Sequence, residues 1–470
     1  MALTEEQIDF INAREPKVLV KAFAGSGKTY SASAFSKARP SSRILYLVFN
    51  SAAQKDATRR FPNNVHSRTI NSLAYSAFGA VYRQKHCDNL TANDVRAAVD
   101  PGGEMNYRSL MVIAETVRQF MISRDAEIRV SHAEAAIPED SAVDPYHLAR
   151  IAGRLWEAMI DPGETRVRAT HDAYLKLFQL QRPDFGRQFD ILIVDEAQDV
   201  NPVTQAIIDD QSIPVVLIGD PHQSIYGFRG AVNAIEDFSY EAEYPLTYSF
   251  RFGFECATLA NMLLQKHTTE EDMLIGAGPD TKILYDTPIT GPHMKIHRTV
   301  AETLRSAADA VRKGQKIAWA GNMYGYGLDK ALDLYHLYSG NRSSVRDFRL
   351  VKEFPSYDRY KEVATDTRNA EMMRLTRIVE EYGGDMPMLI EAMKTNTTSP
   401  GQADLILTTA HKSKGLQAAE VELANDFPDL NDKRLEGDKK REEVNLLYVA
   451  MTRAQTTMSL PDNIRTHIFS

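Results

Sequence analysis

The sequence predicts an α/β fold built on parallel sheets, with helical insertions between strands. Short β-branched apolar runs alternate with helical periodicity near the start of the chain, as in βαβ units. Two later runs, 189–194 and 214–219, are nearly continuously apolar, which is typical of strands buried on both faces of a parallel sheet. The stretch 82–169 has helical runs broken by proline and glycine instead. We therefore expect a helical insertion within the first sheet domain.

The first elements are a helix and two strands. Residues 3–11 have a threonine cap, acidic first-turn residues and apolar positions at helical spacing, which predicts a short helix ending near Pro16. The runs 18–20 and 44–49 are apolar and predict buried strands, each followed by a helix.

A second α/β region is predicted to start near Leu246. Its strand signals are weaker because the apolar runs are short and mixed with polar residues. They lie at 295–297, 316–319 and 405–408. The stretch 328–396 between the last two has helical periodicity, so we expect a helical insertion here as well.

A glycine-containing loop connects the first strand to the next helix. It reads Ala22-Phe23-Ala24-Gly25-Ser26-Gly27-Lys28-Thr29. Glycines 25 and 27 let backbone N–H groups close around phosphate oxygens, Lys28 can reach the terminal phosphates, and the Thr29 hydroxyl can bind Mg²⁺. The strict motif starts with glycine where this chain has Ala22, and a chance Gly/Ser turn is the alternative. The context of strand, loop and helix favours a nucleoside-triphosphate site.

Two adjacent carboxylates, Asp195 and Glu196, follow the apolar run 191–194. Parallel sheets bind ligands at the carboxyl ends of their strands. In that position Asp195 would hold Mg²⁺ and Glu196 would orient or deprotonate the attacking water. A solvated acidic turn is the alternative, and the phosphate-binding loop in the same sheet favours hydrolysis.

The segment after the next strand combines an amide, aromatic residues and an arginine. It reads Gly219-Asp220-Pro221-His222-Gln223-Ser224-Ile225-Tyr226-Gly227-Phe228-Arg229-Gly230. Gln223 could sense the γ-phosphate, while Tyr226 and Phe228 could face a nucleic-acid base. Aromatic residues near a strand end are as often part of the core, so both interpretations stay open at this point.

Composition narrows the class of protein. The chain has 43% hydrophobic and 25% charged residues, as ordinary globular proteins do, and no apolar run long enough to span a bilayer. Two cysteines, Cys87 and Cys256, predict neither a disulfide framework nor a structural zinc site. The net charge of −8 argues against coating nucleic acid by bulk electrostatics, but a local basic groove remains compatible with it.

Taken together, the motifs and their order resemble those of UvrD/Rep/PcrA-type superfamily 1A DNA helicases. The motifs are Gly25-Ser26-Gly27-Lys28-Thr29, Asp195-Glu196-Ala197-Gln198-Asp199, the segment 219–227, and 446–454. The segments 170–177 and 409–416 resemble the F-box DNA helicases within that family, although we expect no F-box here. The resemblance implies two RecA-like P-loop NTPase domains that use ATP and Mg²⁺.

The resemblance also implies a domain order. Domain 1A is expected at 1–81 and 170–245, with a helical insertion 1B at 82–169. Domain 2A is expected at 246–327 and 397–470, with a reduced 2B-like insertion at 328–396.

Further nucleotide-site roles follow from the resemblance alone. Gln7 would read the adenine edge and Phe250 would stack on the ring. Arg251 and Arg453 match two arginines that reach the γ-phosphate, completing a catalytic set of Lys28, Asp195, Glu196, Gln223, Arg251 and Arg453. Two of these nucleotide-site positions depart from the family pattern: Gln417 replaces a glutamate expected to bind the ribose, and Tyr30 stands where some relatives have an arginine beside the adenine.

The same resemblance implies contacts with single-stranded DNA. The residues that match them are Phe49, Asn50, Ser51, Asn71, Tyr226, Phe228, Arg229, Thr409 and His411. Phe228 takes the place of a base-stacking tryptophan, and Asn71 replaces a histidine. Stacking on an aromatic face is largely indifferent to base sequence, which suits a protein that moves along any strand.

We therefore expect an ATP-dependent DNA helicase or translocase, with 3′-to-5′ polarity implied by the family. Its expected partner is single-stranded or partly duplex DNA. One alternative strips proteins from single-stranded DNA and would add a DNA-bound protein as partner; another, motivated by Gln417, is a weakly catalytic DNA-binding regulator. RNA as the track also stays open. Residues 1–6 show no secretory signal, so we expect a location inside the cell, wherever the DNA is.

Overall fold

The computed structural model describes residues 3–138, 143–227, 234–367 and 369–469. Contacts divide the chain into two units: the first holds 1–23 and 27–246, and the second holds 24–26 and 247–470. Each contains a parallel six-stranded sheet with helices, which confirms the predicted α/β class. Within the described ranges, no helix is both long and apolar enough to cross a bilayer.

The first sheet has the strand order β3-β2-β4-β5-β1-β6, and all its neighbours are parallel. Its strands are β1 (Lys17–Ala22), β2 (Ile44–Leu47), β3 (Val65–Arg68), β4 (Ile191–Val194), β5 (Val215–Gly219) and β6 (Ala242–Leu246). Parallel pairing places the carboxyl ends of β1, β2, β4 and β5 at one edge, where the predicted phosphate-binding loop and carboxylates begin.

Eleven α-helices of the first unit lie in its described residues. They are α1 (Glu5–Asn12), α2 (Lys28–Lys37), α3 (Ser51–Arg60), α4 (Ile70–Ala77), α5 (Ala92–Val99), α6 (Tyr107–Ile122), α7 (Val130–Ala136), α8 (Pro145–Ile160), α9 (His171–Leu180), α10 (Pro202–Asp209) and α11 (Ala234–Asp237). Helices α5 to α8 confirm the helical character predicted for 82–169.

Alternate residues of the first sheet enter two different hydrophobic cores, as the two-residue period of a strand requires. Leu19 packs on one face with Phe120 and other residues of α5 to α9. Val20 packs on the opposite face with Phe35 and other residues of α1 to α3. The helical insertion thus shares a continuous core with the sheet.

The second sheet has the order β11-β12-β10-β13-β14-β9, again all parallel. The strands of the second unit are β7 (Tyr248–Ser249), β8 (Ile275–Gly276), β9 (Lys282–Tyr285), β10 (His293–His297), β11 (Ile317–Trp319), β12 (Leu405–Thr409), β13 (Ala418–Leu423) and β14 (Ala454–Leu460). Strands β7 and β8 form a separate parallel pair.

The α-helices of this unit include five between β11 and β12, in the stretch predicted to be helical. In order they are α12 (Phe254–His267), α13 (Val300–Arg312), α14 (Leu328–Tyr338), α15 (Phe348–Glu353), α16 (Tyr357–Asp366), α17 (Ala370–Tyr382), α18 (Met386–Asn396), α19 (Ala410–Ser413), α20 (Gly437–Met451) and α21 (Asp462–Phe469).

The structure corrects some predicted element bounds. Strand β2 ends at Leu47, two residues before the predicted end, and Phe49 is 43% exposed. Helix α2 begins at Lys28, so the last two residues of the predicted loop 22–29 are helical. The sequence did not predict β3, β6 or β9, which are sheet-edge strands and therefore need no continuous apolar run.

Candidate active site

The loop between β1 and α2 has the backbone conformation expected of a phosphate-binding loop. Gly25 and Gly27 have φ of +79° and +80°, in the left-handed region that only glycine adopts readily. Gly27 caps α2, so Lys28 and Thr29 are its first two residues. The unpaired N–H groups and the dipole at this end of a helix favour an anion.

The two predicted carboxylates lie near Lys28, within the first unit. Lys28 Nζ is 3.9 Å from Glu196 Oε1. Glu196 has a left-handed φ of +51°, an unusual conformation for a residue with a side chain, and such strain is often found at functional sites. Burial, with the adjacent Glu196 charge, raises the pKa of Asp195 to about 6.

Tyr46 of β2 is a site residue that the sequence analysis missed. Its hydroxyl contacts the Asp195 carboxylate and lies close enough to the Thr29 side chain for Thr29 to lower the Tyr46 pKa. Burial and the Asp195 charge raise the pKa of Tyr46 well above its usual value. The only signal in the sequence was a tyrosine inside an apolar strand, where a buried hydroxyl needs a partner.

This arrangement fits a bound Mg²⁺. Thr29 supplies a hydroxyl and Asp195 a carboxylate, both hard oxygen donors that Mg²⁺ prefers. Both groups lie near the same Tyr46 hydroxyl, so the two oxygen donors are close to each other. When bound, the ion would offset negative charge on nucleotide phosphates.

A buried hydrogen-bond path connects Glu196 to the end of β5. Gln198 Nε2 donates to Glu196 Oε2 at 2.5 Å, and Gln198 Oε1 accepts from Asp220 N at 3.0 Å. Gln223 Nε2 in turn donates to Asp220 Oδ2 at 2.7 Å. Gln198 is fully buried; it lies in the acidic motif but had no predicted role. The path brings Glu196 and Gln223 into one network.

Two of the residues predicted to bind DNA stack on each other. The Phe49 and Tyr226 ring centroids are 5.4 Å apart and the rings are nearly parallel, 8° between planes. Phe49 also lines a cavity of about 130 Å³ together with Asn71, Asp195 and Glu196. The first unit thus places predicted DNA-contact residues and predicted catalytic carboxylates around one cavity.

Other predicted residues of the first unit have local structural roles. Asn50 caps α3, its Oδ1 accepting from Ala53 N at 2.9 Å, and Ser51 is the first residue of that helix. Gln7 forms a capping box with Thr4 and is 3% exposed, whereas Tyr30 is 59% exposed. Phe228 and Arg229 lie outside the described residues.

In the second unit, Arg251 is held by Gln417. Its Nε donates to Gln417 Oε1 at 3.1 Å and its Nη1 donates to Thr452 O at 2.8 Å. Phe250 N donates to Gly25 O at 2.9 Å. The departure from glutamate at 417 therefore puts a neutral amide, rather than a carboxylate, against this arginine.

Arg453 is only 1% exposed. Its Nε donates to Val449 O at 2.7 Å, its Nη1 to Leu416 O at 3.2 Å, and its Nη2 to Thr452 Oγ1 at 3.0 Å. All these acceptors are neutral, so the guanidinium charge is not neutralised by them.

The predicted DNA contacts of the second unit lie at the end of β12. Thr409 caps α19, accepting from Lys412 N at 3.3 Å. His411 Nε2 is 3.9 Å from Glu442 Oε1. Both residues are thus at the carboxyl edge of the second sheet.

Comparison with known proteins assigns the family. The model of the UvrD/REP helicase N-terminal domain matches residues 163–241, and that of the UvrD-like helicase C-terminal domain matches 260–461. Together they cover more than half of the chain. The chain belongs to the UvrD-like helicases. The N-terminal match of this UvrD-like chain includes Asp195, Glu196 and Gln223, and the C-terminal match includes Gln417 and Arg453.

Two curated relatives of this UvrD-like helicase align with almost its whole length. F-box DNA helicase 1 of Gallus gallus is 29% identical over 98% of this chain and 49% of its own. F-box DNA helicase protein 1 of Schizosaccharomyces pombe is 31% identical over 95% of this chain and 55% of its own. The chain thus spans about half the length of the curated relatives it matches.

Proposed function

We propose that this chain is an ATP-dependent DNA helicase or translocase, which moves 3′ to 5′ on single-stranded DNA in repair, recombination or replication. The observation that carries the proposal is the cavity lined by both Phe49 and Glu196. A DNA base that stacks on the Phe49 ring, or displaces it, would change the environment of the Glu196 carboxylate. DNA binding and ATP hydrolysis would thereby affect each other.

The proposed chemistry uses the residues of both units. Glu196 orients or deprotonates the attacking water, with Asp195 and Thr29 as Mg²⁺ ligands. Lys28 with Arg251 and Arg453 neutralises charge that develops on the γ-phosphate. Gln223 senses that phosphate and transmits its state along the Gln198 path. Phosphate contacts are proposed for Gly25, Ser26 and Gly27 of the loop. Adenosine contacts are proposed for Gln7, Tyr30, Phe250 and Gln417.

The proposed DNA contacts combine stacking with backbone contacts. Phe49 and Tyr226 offer aromatic faces, each worth about 1–3 kcal/mol per stacked base. The other proposed contacts are Asn50, Ser51, Asn71, Phe228, Arg229, Thr409 and His411. The names of the two curated relatives support DNA rather than RNA as the track and a location with the DNA.

The proposed domain boundaries divide each unit further. Residues 82–169 form insertion 1B within domain 1A, and 328–396 form a reduced 2B-like insertion within domain 2A. The support is that α5 to α8 and α14 to α18 fall in these ranges. A small second insertion favours translocation over unaided processive unwinding.

The test uses duplexes with a 3′ or a 5′ single-stranded tail, and single strands blocked by streptavidin at either end. We expect ATP-dependent strand separation or streptavidin displacement that requires 3′-to-5′ movement and is lost in Lys28→Ala. Displacement without strand separation would select the protein-stripping translocase. DNA binding with no movement in either assay would overturn the proposal.

A further inference from the structure

The helical insertion meets the first sheet domain at two adjacent chain segments. His86 pairs with Ala169 in an isolated parallel bridge. Cys87 N donates to Ala169 O at 3.0 Å, and Ala169 N donates to Lys85 O at 2.8 Å. One segment leads into α5 and the other leads back from α8 into α9. We call these segments, 85–88 and 169–171, the neck.

Three side chains with metal-binding atoms converge at the neck. His86, Asp88 and His171 each offer one ligand atom, and these atoms lie within 4.8 Å of one another. The two imidazole centroids are 4.0 Å apart. Among the described residues, this is the one group of three His, Cys, Asp or Glu side chains whose ligand atoms lie so close together.

The hydrogen bonds of the two histidines fit ligands rather than structural side chains. His86 Nε2 is inaccessible to solvent and has no hydrogen-bond partner among the described residues, which is costly for a polar atom. His171 Nδ1 hydrogen-bonds the Tyr174 hydroxyl. A hydrogen-bond partner on one ring nitrogen fixes the ring orientation and leaves the other ring nitrogen for a metal ion, as is usual for metal-binding histidines.

We propose that His86, His171 and Asp88 bind one divalent transition-metal ion of the Zn²⁺ class. Two imidazoles and one carboxylate are a common ligand set for this class, with metal–ligand distances of about 2 Å. On binding, the exposed Asp88 side chain rotates to bring its carboxylate to this distance. A water completes the shell. The bound ion links the two segments of the neck and thereby restrains the helical insertion relative to the first sheet.

This site differs in chemistry from the Mg²⁺ position beside the phosphate-binding loop, which offers oxygen donors. It does not depend on the proposed function, because it uses none of the nucleotide or DNA residues. Metal binding at the neck can therefore be measured without an activity assay.

The test uses the full chain without a histidine tag, stripped with EDTA and kept in excess Mg²⁺. Co²⁺ serves as the spectroscopic probe and Zn²⁺ as its competitor. We expect one Co²⁺ per chain with visible d–d absorption, displaced by Zn²⁺, and a Zn²⁺-dependent rise in the thermal midpoint. His86→Asn and Asp88→Asn should each weaken binding at least about tenfold.

His147→Asn is the matched control, since His147 is exposed on α8 and outside the neck; it should bind as wild type does. Because Asp88 is exposed, Asp88→Asn should fold normally even if His86→Asn does not. It therefore tests the site independently of His86. Absence of saturable Co²⁺ absorption in the wild type, or equal affinity in all variants, would overturn the proposal.

Discussion

The Tyr46 hydroxyl is the residue-scale feature on which the proposed Mg²⁺ site depends. We predict that Tyr46→Phe raises the Mg²⁺ concentration needed for half-maximal ATP hydrolysis by about 10-fold or more. The reason is that a hydrogen bond to a charged group is worth about 1.5–3 kcal/mol, and here it orients Asp195. Steady-state hydrolysis over a Mg²⁺ series measures the change.

Two checks accompany this variant. Tyr146→Phe is the control, because Tyr146 is 72% exposed on α8. The thermal midpoint shows whether Tyr46→Phe is folded. An unchanged Mg²⁺ requirement in a folded variant would remove Tyr46 from the site.

A second residue-scale prediction concerns Gln417. A carboxylate at this position would pair with Arg251, whose Nε already contacts the Gln417 oxygen. An exposed ion pair is worth about 0.2–1 kcal/mol, so Gln417→Glu should lower kcat for ATP by about 2- to 5-fold with little change in KM. Gln417→Asn, which keeps a neutral amide, is the matched control.

The ribose contact proposed for residue 417 would give a different pattern if it outweighed the pairing with Arg251. Gln417→Glu would then lower KM for ATP and increase discrimination against 3′-deoxy-ATP. A lower KM and stronger discrimination, with kcat unchanged, would contradict the predicted pairing of residue 417 with Arg251.

At the scale of elements, the sequence predicted the parts of the site where motif and strand end coincide. Asp195 follows β4, and the loop with Gly25 and Gly27 follows β1, as expected. Tyr46 was missed because its partner Asp195 is distant in sequence and a buried polar tip has no local pattern. Gln198 was missed because its contact with Asp220 N joins the ends of two different strands. His86 and His171 were missed for the same reason: only the bridge at Ala169 brings them together.

The strands, too, were predicted only where the local sequence is strongly apolar. Central β4 and β5 were predicted because burial on both faces demands apolar residues at every position. Strand β13 is central too, yet its alternating sequence AAEVEL has only two buried residues, so its apolar signal was weak. Edge strand β6 contains Pro245, which an edge tolerates.

Helix α9 carries a buried lysine that makes an element-scale prediction about pH. Lys176 is fully buried, donating to Ser123 O at 3.0 Å and to Asp125 O. Burial lowers its pKa to about 8, while the Asp125 charge opposes this shift; His132 is also close enough to feel the lysine charge.

Between pH 8 and 10.5 the unfolded chain then binds a proton that the folded chain does not. This lysine's contribution to the free energy of unfolding therefore rises with pH, by up to about 3 kcal/mol at 1.36 kcal/mol per pKa unit. Lys176→Met should remove that rise. Urea unfolding at pH 7.5 and 9.5 measures the free energy of unfolding of the wild type and of Lys176→Met, with Lys55→Met, at an exposed position, as control. The same change in this free energy with pH for the wild type and Lys176→Met would refute the lowered pKa.

At the scale of the whole molecule, each unit holds a different part of the proposed machinery. The first has Lys28 and Thr29, the carboxylates and the Phe49–Tyr226 pair; the second has residues 24–26 of the phosphate-binding loop, Arg251 and Arg453. The central claim is that DNA at the aromatic pair and ATP at the carboxylates are coupled through the cavity that Phe49 and Glu196 share.

The most direct test is ATP hydrolysis by the purified chain with and without single-stranded DNA, for the wild type, Phe49→Ala and Lys28→Ala. The account predicts strong DNA stimulation in the wild type, reduced stimulation with similar basal turnover in Phe49→Ala, and no turnover in Lys28→Ala, which also controls for contaminating ATPase. DNA binding by the wild type with turnover at the Lys28→Ala level, or full stimulation in Phe49→Ala, would contradict it.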